Sequence, residues 1–249
     1  MGGALDGKVA AVTGADAPLV AALARVLASA GASIGLVGDA EGLSPLVTDL
    51  EACDTPAAAV GCAFETRDDV EAAFTAVVDG VGAPVDVVLH GAIDPIAYER
   101  CAFEDVDDAR WDTVWEQTMR STLFTFQAGH TQMQGRGGRI VLITPTVAMS
   151  GAEQLVPYTC AIEGQRLLAK SAARQWGSHG ITVNCLAPAP EHVPIGVPST
   201  AVSLAPPALG GPGDPEHDLG PALVFLTSDA GHFLTGITLC ADGGVWMAP

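Results

Sequence analysis

The 249-residue sequence predicts an α/β fold: one doubly wound parallel sheet of about seven strands, with helices on both faces. Two observations predict it. Short apolar runs recur along the chain without the polar alternation of a half-solvated strand, which marks strands buried on both faces. Between them lie longer stretches of helical periodicity, the signature of βαβ units. No repeat or linker interrupts the pattern, so residues 1–249 are expected to form a single domain.

The elements follow in order. "VAAVT" (Val9–Thr13) reads as the first buried strand, and "LVAALARVLASA" (Leu19–Ala30) as a helix ending at Gly31. The later strands are expected at Ser33–Gly38, Ala57–Ala63, Val85–Gly91, Arg139–Thr144, Ile181–Ala187 and Ile237–Gly243. Nine prolines fall between Pro188 and Pro221, too many for one continuous helix because each interior proline removes a donor and clashes with the preceding turn. This segment, 188–221, follows the carboxyl end of a strand and is expected to be a lid or substrate loop, the alternative being an irregular surface loop.

Charge and cysteines narrow the function. A net charge of −18 and a pI near 4.4 argue against nucleic-acid or anionic-membrane partners. Six cysteines are scattered without a CxxC pair or a Cys/His cluster, so no metal site and no disulfide set is expected. The N-terminus lacks a basic region followed by an apolar core, and no apolar run reaches the ~20 residues of a membrane span. The expected location is the cytoplasm.

Several stretches resemble the short-chain dehydrogenase/reductase (SDR) family over nearly the whole length. These are "LDGKVAAVTGA", "VDVVLHGA", "RWDTVWEQT", "GGRIVLIT", "PYTCAIEGQRLLAKSAARQWGSHGITVNCLAP" and "PEHDLGPALVFLTSDAGHFLTGITLCADGG". The resemblance implies a Rossmann-like fold and hydride transfer between a nicotinamide cofactor and a carbinol or carbonyl. It implies a proton-transferring tyrosine at Tyr158, aided in the family by a lysine four residues on, a serine and an asparagine.

Position by position the motifs depart from the family. The glycine-rich turn reads Thr13-Gly14-Ala15-Asp16-Ala17-Pro18-Leu19-Val20, where Pro18 lacks an N–H and Val20 puts a branched side chain where glycine is usual. The adenine-binding aspartate is Ala63, and the Asn-Asn-Ala-Gly turn is His90-Gly91-Ala92-Ile93. Thr118 stands for the asparagine, Pro145 for the serine with Thr144 and Thr146 beside it, and Ile162 for the lysine. Thr13, Gly14 and Asp39 remain as candidate cofactor contacts.

Three expectations follow. The first is a non-catalytic subunit without cofactor, assembling with itself or with an intact SDR homologue. The second is a cofactor-independent acid/base enzyme acting on a small molecule or acyl thioester through His90, Tyr158 and His192, with dehydration, isomerisation, aldol-type or cyclisation chemistry. The third is a divergent NAD(H)-dependent oxidoreductase.

Overall fold

A computed structural model describes residues 2–194 and 205–247. Seven parallel strands form one sheet: β1 (Val9–Thr13), β2 (Ser33–Gly38), β3 (Ala57–Gly61), β4 (Val87–His90), β5 (Gly138–Ile143), β6 (Ile181–Pro188) and β7 (Thr238–Ala241). Their order is β3-β2-β1-β4-β5-β6-β7. The chain winds outward from β1 to β3, then returns across the sheet to β4. The crevice of such a sheet therefore opens beyond the carboxyl ends of β1 and β4.

One face of the sheet is covered by α1 (Pro18–Ser29), α2 (Ala40–Glu51) and α7 (Gly220–Thr227), which bury Leu23, Leu27, Leu46 and Leu223 against it. The opposite face carries α3 (Arg67–Val81), α4 (Asp108–Met133) and α6 (Val156–Trp176), burying Phe74, Val77, Phe126 and Ala169. A single turn, α5 (Val147–Ser150), precedes α6. Local signals fix the helix starts. Thr66 and Asp69 form a reciprocal capping box on α3, Asp107 caps α4 by accepting from Arg110 N, and prolines occupy the first turns of α1 and α6.

On α4 the indoles of Trp111 and Trp115 stack with centroids 6.2 Å apart and planes 8° apart, both partly exposed. The proline-rich segment is, among its described residues, a short 3-10 turn at Pro190–His192, an irregular stretch from 205 to 214, and a π-helical turn at Pro215–Leu219 leading into α7. Residues 195–204 of the expected lid lie outside the described residues.

Candidate active site

The β1–α1 turn begins at Gly14, whose φ of 81° excludes an ordinary side chain, and a Cβ there would lie 2.4 Å from the Gly91 carbonyl carbon. The turn is thus packed directly on the end of β4. Val20 is buried, and its place is explained by the same contact: a Cβ built on Gly91 would meet Val20 Cγ2 at 2.6 Å. The bulk absent at Gly91 is present at Val20. The valine, which stands where glycine is usual, fills core volume beneath the strand end.

Thr13 and His90 are register partners on β1 and β4, and their side chains bond across the switch point, Thr13 Oγ1 to His90 Nδ1 at 2.7 Å. On the other side of the ring, His90 Nε2 lies 3.0 Å from Thr122 Oγ1. Thr122 spends its hydroxyl proton on the Thr118 carbonyl at 2.8 Å, so its oxygen accepts from His90. The network therefore assigns His90 as the neutral Nε2–H tautomer, with Nδ1 accepting from Thr13. Gln165 on α6 donates to Thr122 Oγ1 at 2.6 Å and completes the chain. Burial pushes the His90 pKa down to about 3. This histidine is fully enclosed, with both nitrogens engaged.

Tyr158 lies one turn into α6, buried among Ala97, Val114, Val147, Leu155 and Ile162. Its hydroxyl has no hydrogen-bond partner among the described residues, so neither the Thr144 nor the Thr146 hydroxyl reaches it. Thr146 instead donates to the Pro188 carbonyl at 3.2 Å, tying α5 to the end of β6. The Thr118 hydroxyl is likewise buried without a partner. Burial, and secondarily the neighbouring Tyr98 phenol, raises the Tyr158 pKa well above 10. The phenol is a proton donor at any physiological pH.

Two residues of this cluster went unnoticed in the sequence. Tyr98 packs against Tyr158 with ring centroids 5.3 Å apart and planes tilted by 46°, so the chain's two tyrosines share one cluster. Burial, with a smaller contribution from Asp16, raises the Tyr98 pKa too. Gln165 follows Tyr158 and Ile162 on the same buried stripe, and a glutamine at a core position of a helix was the available signal. Lys170 is exposed farther along α6. His192 Nε2 donates to the Pro212 carbonyl, 3.1 Å away, within the proline-rich segment. With His90 sealed against Thr13 and Thr122, and His192 on Pro212, the expected trio of His90, Tyr158 and His192 has no common hydrogen-bonded centre among the described residues.

Beside this cluster, a cavity of about 320 Å³ opens at the carboxyl ends of β1 and β2, lined by Gly14, Gly38, Asp39, Ala63, Ile93 and Ser121 among others. Asp39 caps α2 by accepting from Glu41 N at 3.2 Å with one oxygen, while its second oxygen makes no hydrogen bond among the described residues. Ala63 widens the floor of the cavity where the family's aspartate would stand. No group of three or more His, Cys, Asp or Glu side chains among the described residues is placed to hold a metal ion.

The family model for short chain dehydrogenases matches residues 8–200. The chain is 31% identical to cis-4-hydroxycyclohexanecarboxylate dehydrogenase of Sinomonas cyclohexanicum, over 98% of this chain and 98% of that protein. It is 30% identical to gluconate 5-dehydrogenase of Gluconobacter oxydans, over 98% of this chain and 96% of that protein. A putative short-chain alcohol dehydrogenase from Sinorhizobium meliloti superposes with a TM-score of 0.86 at 28% identity, covering 97% of each chain. The first two of these relatives are named as dehydrogenases over their full length, which overturns the expectation of a non-catalytic subunit. The Val20–Gly91 exchange gives the physical reason: a departure from the glycine motif was read as lost function where it is a repacked core. The chain belongs to the short-chain dehydrogenase family.

Proposed function

We propose that this protein is an oxidoreductase that interconverts a small secondary alcohol and its ketone with a nicotinamide dinucleotide. The observation that carries the reading is Tyr158, at the position of the family's proton-transferring tyrosine, with a protonated hydroxyl that lacks a partner. A substrate oxygen would complete that hydrogen bond, and the phenol would donate its proton there as the carbonyl is reduced. When bound, the reduced nicotinamide supplies the hydride.

The residues fit the adenosine half of such a cofactor. The cavity beside Gly14 and Ala63 is of nucleoside size, and the Asp39 carboxylate suits a ribose diol while repelling a 2′-phosphate, which favours NAD(H) over NADP(H). At the nicotinamide half, Ile162 offers no donor where the family has lysine, so no role is assigned there beyond Tyr158. With no cation from that position to lower its pKa, Tyr158 is held as an acid, and the favoured direction is reduction.

The two relatives' names print carboxylates bearing a hydroxyl, which sets the first compounds to try. NADH is expected to bind with at least tenfold higher affinity than NADPH in a cofactor-fluorescence titration. Ketone reduction should stay flat from pH 7 to 9.5, and Tyr158→Phe should lower it at least a hundredfold. Absence of binding by both nucleotides at ~1 mM would sink the reading. The proposal includes a cytoplasmic location and assembly with copies of itself. Among the described residues no helix is long and apolar enough to cross a membrane. Exposed Trp111, Trp115, Leu123 and Leu167 on α4 and α6 support self-assembly.

A further inference from the structure

At the opposite end of the sheet, the amino ends of β1, β4, β5 and β6 surround a recess of about 580 Å³. It collects Lys8, Arg136 and Arg139, three of the eleven basic residues of a chain with net charge −18, together with Ser178 and His179. The two acids that line it are unequal. Asp86 is fully occupied: Oδ1 accepts from Arg136 NH1 at 3.0 Å and Oδ2 from Val9 N at 3.1 Å. Asp229 is an exposed side chain whose carboxylate stands 3.6 Å from Arg139 NH2, beyond hydrogen-bond distance.

Arg136 is therefore spoken for, also donating to the carbonyls of Val85 and Gln132. Arg139 is not. Its guanidinium is largely buried, its NH1 donates only to the Gly138 carbonyl at 3.1 Å, and its Nε–H is buried without a partner. Its counter-charge is the exposed Asp229 carboxylate, and a buried charged donor without a hydrogen-bond partner at Nε costs free energy that an incoming oxyanion would offset. Lys8, exposed and without a hydrogen bond from its ammonium among the described residues, stands at the same mouth.

We propose that this recess binds the phosphate group of a small molecule, with Arg139 as the buried anchor and Lys8 at the rim. The ligand sits at the far end of the sheet from Tyr158, so it stabilises the protein without entering the reaction. The recess is larger than a phosphate ion and suits a phosphorylated metabolite.

Calorimetry and thermal unfolding at fixed ionic strength test it, with glucose 6-phosphate, inorganic phosphate and glucose as probes. Glucose 6-phosphate is expected to release heat and raise the melting temperature, while glucose does neither. Arg139→Gln and Lys8→Gln should each weaken binding about tenfold or more. Lys8→Gln, at an exposed site, keeps the test valid if the Arg139 variant folds poorly. Equal binding of inorganic phosphate would identify the free ion as the ligand of the same site. Absence of binding by both phosphates, or wild-type affinity in Lys8→Gln and a folded Arg139→Gln, overturns the proposal.

Discussion

At the residue scale, His90 shows how a polar side chain becomes part of a core. Its position at the end of β4 was legible in the sequence; its environment was not, because Thr13, Thr122 and Gln165 come from three other elements that only the tertiary fold brings together. Folding holds the imidazole neutral. With the folded-state pKa lowered to about 3 and the ordinary value at 6.5, the contribution is fully present above pH 6.5 and lost as pH falls toward 3. Within that window the folding equilibrium from this one group falls about tenfold per pH unit. Denaturant unfolding at pH 7 and pH 5 should therefore show a smaller acid loss for His90→Asn than for the native chain. An identical loss in both would mean that His90 is not the group responsible. Tyr158 was fully legible as a candidate, but its pairing with Tyr98 was hidden by their separation of sixty positions in sequence.

At the element scale, the β1–α1 turn and the end of β4 are one packed unit. The strands and their order of appearance could be read from apolar runs, and all seven were placed within two residues of their observed limits at both ends. The exchange of volume between Val20 and Gly91 could not be read, since it needs the register that puts Thr13 opposite His90. It can be measured. Gly91→Ala should destabilise the protein by about 1–3 kcal/mol through overpacking against Val20. In a Val20→Ala background the same change should cost much less, giving a clear coupling in a double-mutant cycle. Additive effects would show that the two positions do not share one space.

At the scale of the whole molecule, the fold separates two ends of one sheet: the candidate active site at the carboxyl ends of the strands, the basic recess at the amino ends. Acidic composition, read from the sequence, argued against polyanionic partners for the protein as a whole and concealed a local positive recess, because net charge carries no position. The outer face of α4 and α6 makes a third region. If copies of the chain pair there, light scattering at micromolar concentration should report a mass above 25.3 kDa, and Trp115→Glu with Leu167→Glu should return it to the monomer value. A native mass equal to that of one chain would exclude this assembly. The stacked indoles on that face have an optical consequence. At 6.2 Å the two rings are close enough to exchange excitation energy, and Trp111 and Trp115 are two of the chain's four tryptophans. Half of the tryptophans thus report on the surroundings of one helical turn.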